Sequence, residues 1–131
     1  MFSQRNQRDK RRSRLKKTGI KDENIDRQIW VIHSAMVDKL LAQPELAEPL
    51  FDVLKARLEQ GKLGYGAWLT WHSLLEHIDD ADAFRQGVLD DTPRMRKLRR
   101  ATPLVGILTE QERQQALMAD ACGETHIDTL F

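Results

Sequence analysis

Between residues 25 and 41 the apolar side chains recur at the spacing of an α-helix. Ile25, Ile29, Ile32, Met36 and Leu40 follow one another at steps of three or four, so a 3.6-residue period gathers them into one stripe. Trp30, Val37 and Leu41 widen that stripe, and the helix is expected to be well buried. Asp22 is the expected N-cap, with Glu23 and Asp26 near the positive end of the helix dipole. Pro44 ends the helix, because its ring fixes φ and it has no N–H to donate.

The same period repeats down the chain between clear stop signals. Pro49 suits the first position of a second helix, with Leu50, Phe51, Leu54 and Leu58 inward and Gly61 as a left-handed stop. The stretch Gly61–Gly66 (GKLGYG) reads as a loop. A third helix is predicted over Ala67–Ile78, turning Trp68, Trp71, Leu74, Leu75 and Ile78 inward. Asp79, Asp80 and Asp82 break it and can cap a fourth helix through Ala81, Phe84 and Val88. Thr92–Pro93 opens a short basic helix with Met95 and Leu98 on its apolar side, and Thr102–Pro103 closes it. Leu104–Leu108 is an apolar link expected to enter the core. Thr109 and Glu112 then form a capping box for a last helix running to about Ala121, with Gly123 as its stop.

No stretch alternates with the period of a strand, and no segment repeats. The predicted fold is all-α: a single small bundle of five to six helices preceded by a basic, flexible N-terminal arm. Residues 1–21 form the arm, 22–123 the helical domain, and 124–131 a short C-terminal tail ending in Leu130–Phe131. At 131 residues, 40% hydrophobic and 31% charged, the chain has the size and balance of one soluble domain. Its apolar runs fall well short of the ~20 residues that cross a bilayer, and no signal-peptide core follows the basic start. The lone Cys122 excludes an internal disulfide and a cysteine-based zinc site. The expected location is the cytoplasm.

The net charge of +1 hides a segregation. Residues 1–21 carry nine basic side chains against Asp9 alone, for +8, while residues 22–131 carry twelve basic and nineteen acidic groups, for −7. A local field, not the total, draws a polyanion. Arg5, Arg8, Lys10, Arg11, Arg12, Arg14, Lys16 and Lys17 are therefore the candidate contacts to a nucleic-acid backbone, of a kind that is salt-sensitive and blind to sequence. The arm has no Tyr or Trp, so base stacking is not expected from it. The competing explanation is a solvated tail, or one that pairs with an acidic protein surface, including the chain's own. Arg94, Arg96, Lys97, Arg99 and Arg100 form a second run, expected on the helix face opposite Met95 and Leu98 as a surface patch that would bracket the backbone with the arm.

Histidine supplies the main alternative. His72 and Glu76 stand at i, i+4, and His33 lies beside the stripe of the first helix. If the first and third helices pack together, His33, His72 and Glu76 could converge on a metal, although no fourth ligand is evident. The plainer reading is a helical side-chain pair and a histidine at the edge of the core. The tryptophans and Tyr65 could line a ligand pocket, but their helical spacing is what core packing requires. Cys122 lacks a neighbouring base, and Ser34 and Ser73 lack the sharp glycine turn of an acyl-transfer nucleophile. No catalytic residue and no cofactor is predicted. The expectation is a small non-enzymatic accessory or regulatory protein. Its helical body would bind protein, with a homodimer compatible, and its arm would bind RNA or DNA backbone without sequence specificity. The alternative is a protein–protein interaction module with no nucleic-acid role.

Overall fold

The computed structural model describes residues 23–122. The arm, its candidate contacts, the Asp22 cap, the Gly123 stop and the C-terminal tail lie outside the described residues. Among the described residues there are six α-helices and no strand. Helix α1 covers residues 23–42, α2 Glu48–Glu59, α3 Tyr65–Glu76, α4 Ala81–Val88, α5 Pro93–Arg100 and α6 Glu110–Ala121. No helix among them is long and apolar enough to cross a membrane.

The stop signals act where their chemistry requires. Helix α1 ends just before Pro44, and a single 3-10 turn, Pro44–Ala47, leads into α2. Three N-caps do what their side chains allow. The Asp80 carboxylate accepts from the Ala83 N–H at 3.2 Å and the Thr92 hydroxyl from the Met95 N–H at 3.1 Å. At α6 the capping box is complete: Thr109 Oγ1 accepts from the Glu112 N–H at 3.1 Å, and Glu112 Oε1 accepts from the Thr109 N–H at 2.9 Å.

One boundary differs. Helix α3 begins at Tyr65 rather than Ala67, so the glycine loop is shorter than its three glycines imply. Of these three glycines only Gly61 takes the left-handed conformation, at φ 72°, and Leu63 is pulled into the core. Burial of that leucine tightens the turn and lets helical geometry start early.

Trp71 and Leu75 of α3, Leu50 and Leu54 of α2, and Met36, Val37 and Leu40 of α1 meet in one core. Phe84 and Val88 close it from α4, and Leu104 and Ile107 of the link from the other end. Helices α3 and α4 approach closely at Gly87, where a Cβ would fall 2.2 Å from Leu74 Cδ2. Helix α6 runs antiparallel to α1, pinned at both ends by Arg27–Asp120 and Lys39–Glu112, each at 2.7 Å. It has no fully buried residue, so it is the layer held least by the core.

Candidate functional site

The basic helix α5 is where the expectation and the structure part. Arg99 is 2% exposed, not part of a surface patch. The reason is helical geometry: position 99 follows Met95 by four residues, so it shares the buried face of Met95 instead of opposing it. Its Nη1 donates to the Val88 carbonyl at 2.9 Å and the Asp90 carbonyl at 2.8 Å. It thereby ties down the chain where α4 ends. Burial lowers its pKa from the usual arginine value, against the opposing pull of Asp91, Asp26 and Asp90.

The neighbouring arginines are also turned toward the protein. Arg94 Nη2 donates to Thr70 Oγ1 at 2.8 Å and to the Gly66 carbonyl at 3.3 Å. Arg96 pairs with Asp91 at 2.9 Å, and Arg100 with Asp26 at 2.8 Å. The Arg100 hydrogen bond holds the Asp26 carboxyl below its ordinary pKa. Lys97, which is exposed, has no partner among the described residues. Helix α5 therefore works as a clamp that joins α1, α3 and the end of α4. Four of its five cations are engaged within the protein.

The proposed metal ligands do not converge. His33 is buried, 2% exposed, against Trp71, their ring centroids 6.2 Å apart. His72, one residue further along α3, points about 100° away. It lies between Trp68 and Phe51, at 4.8 and 5.2 Å between centroids, and its Nδ1 meets Glu76 Oε1 at 2.9 Å. Among the described residues no group of three His, Cys, Asp or Glu could hold a metal ion, which overturns the convergence of His33, His72 and Glu76.

A pocket of about 250 Å³ lies between α1, the link after α5 and the start of α6. Ile32, Met36 and Leu104 form part of its walls, Arg99 and His33 are buried lining residues, and Arg113 is an exposed one. The His33 Nδ1 is 2.7 Å from the Ile29 carbonyl, one turn back on its own helix. That atom is therefore the donor, and Nε2 is left as an acceptor. Burial pushes the His33 pKa down to about 4, so the ring is neutral at pH 7. Sequence reading placed His33 at the core edge but did not find this pocket. Its walls come from segments some 70 residues apart, which no local spacing brings together.

A second surface feature lies on α2. Glu48, Asp52 and Glu59 are exposed along one side, continued by Glu45 on the 3-10 turn, and none has a partner among the described residues.

No family model, curated protein or solved structure matches this chain.

Proposed function

We propose that this chain is a small non-enzymatic accessory protein of the cytoplasm, whose basic arm grips RNA or DNA backbone while the helical body binds protein. The observation that carries this reading is the segregation of charge: nine cations within residues 1–21, set against a remainder of net −7. The internal engagement of α5 sharpens it. With Arg94, Arg96, Arg99 and Arg100 occupied, the arm's Arg8, Lys10, Arg11, Arg12, Arg14, Lys16 and Lys17 are the main groups left to neutralise phosphates. Lys97 is a minor addition. The grip is sequence-blind because contacts to phosphate carry no sequence information, and the arm has no Tyr or Trp to stack on bases.

A second reading is favoured by the unpartnered acids on α2. The arm could lie along Glu45, Glu48, Asp52 and Glu59 of its own or another copy's body. Pull-down with and without nuclease separates the two. Purified at low salt, the full chain is expected to carry nucleic acid that nuclease or high salt removes. A chain lacking residues 1–21 should carry none. Protein partners that persist unchanged after nuclease, with no nucleic acid bound at low salt, would favour the acidic-surface reading.

A further inference from the structure

A row of aromatic rings runs from the start of α3 across to α2. Tyr65 stacks on Trp68, with centroids 5.8 Å apart and planes 25° apart. Trp68 lies 4.8 Å from His72, and Phe51 meets His72 in a T-shaped contact at 5.2 Å. The inner rings are half-buried, but Tyr65 is 66% exposed. A ring held from behind and open in front loses little freedom when a flat partner stacks on it. Its neighbours keep the front clear, because Gly64 and Gly66 are exposed and have no side chain to shield it. The charge at this end is positive. Lys62 is exposed with no partner among the described residues. Arg94 is exposed too, and its Nη2 meets only the uncharged Thr70 Oγ1 and Gly66 carbonyl. No acidic residue stands in the first turn of α3. The acids lie at the far end of the row, where Glu76 holds His72 and Asp52 follows Phe51.

An open aromatic face beside positive charge fits a nucleobase carried on a phosphate strand. We infer that Tyr65, backed by Trp68, is a stacking platform for a base of single-stranded nucleic acid. Lys62 and Arg94 draw the strand's phosphates to that end of the row, and Asp52 and Glu76 turn them away from the other. The inference rests on the arm's nucleic-acid role and deepens it. The arm has cations but no Tyr or Trp, and the body supplies the stacking surface that the arm lacks. The platform also sets the form of nucleic acid preferred. In a duplex the base faces are covered by one another and only their edges open into the grooves, so the platform adds nothing there. Every base has a π-face, so the preference is for a single strand and not for a sequence.

The test uses the full chain and three labelled probes of equal length: oligothymidylate, an abasic single strand and a duplex. The abasic strand keeps the phosphates and removes the bases. Fluorescence anisotropy should find oligothymidylate bound at least about fivefold tighter than the abasic strand, the effect of one stacked base. Tyr65→Ala, at an exposed position that leaves the core intact, should erase that difference and leave duplex affinity unchanged. Tyr65→Phe, which keeps the ring, should retain it. Equal affinity for oligothymidylate and the abasic strand, with the duplex still bound, would overturn the platform and leave the arm's role standing. An oligothymidylate affinity untouched by Tyr65→Ala would do the same. Binding of none of the three probes would overturn the arm's role and the platform with it. A dimer in sedimentation equilibrium that Tyr65→Ala dissociates would make the row an interface between copies and overturn the platform.

Discussion

Replacing His33 by glutamine should change how the fold responds to mild acid. Burial against Trp71 holds the imidazole neutral and lowers its pKa from 6.5 to about 4. Above pH 6.5 the ring is neutral in folded and unfolded chains alike, so it adds no pH dependence. Between 6.5 and about 4 the unfolded chain binds a proton that the folded chain refuses. Stability therefore falls as pH falls through that window, and below about 4 the dependence flattens. A gap of about 2.5 pH units, at about 1.4 kcal/mol per unit, amounts to about 3 kcal/mol across the whole window. That is a large fraction of the 5–15 kcal/mol that typically holds a domain together. About 2 kcal/mol of it should be lost by pH 5, before Asp26, whose pKa lies below its ordinary 3.8, begins to protonate. Glutamine is close in size and can still donate to the Ile29 carbonyl, but it does not titrate. Urea unfolding followed by circular dichroism at pH 7.5 and 5 reads the effect directly. The native chain should lose about 2 kcal/mol more than the His33→Gln variant. Equal losses would mean that the imidazole is not held neutral by burial.

Other perturbations test the clamp and the caps. Arg99→Ala removes the donor to the Val88 and Asp90 carbonyls and should cost about 3 kcal/mol in urea unfolding; a loss below about 1 kcal/mol would show that α5 does not hold the end of α4. Thr109→Ala breaks the capping box of α6 and should cost about 1 kcal/mol. Because α6 has no fully buried residue, amide exchange in α6 should speed up while exchange in α3 stays unchanged.

The elements that carried their own punctuation were legible in advance. Asp80, Thr92 and Thr109 cap helices through their own side chains, and Gly61 sits left-handed where a helix must stop. Each of these acts over four residues or fewer, so the sequence holds the whole interaction. The site was less legible for two separate reasons. Arg99 was misplaced although its position was readable, because charge outweighed the four-residue step from Met95 that puts it on the buried side. The pocket was not readable at all, since His33 and Arg99 meet across a tertiary contact and the unpartnered Nε2 depends on which ring nitrogen the Ile29 carbonyl takes. The failed metal site has the same origin. Whether His33 and His72 face each other depends on how α3 is rotated about its axis, and Trp71 takes the position facing His33.

The proposed grip lies in the arm, with α5 as an internal clamp. The most direct measurement is the salt dependence of binding to a short DNA duplex, for the full chain and for one lacking residues 1–21. Each phosphate neutralised contributes about −0.9 to the slope of log K against log salt, so a net arm charge of +8 sets a slope near −7. Deleting the arm should bring the slope close to zero and remove measurable affinity at moderate salt. A slope that survives the deletion would place the contacts on the helical body and contradict the account.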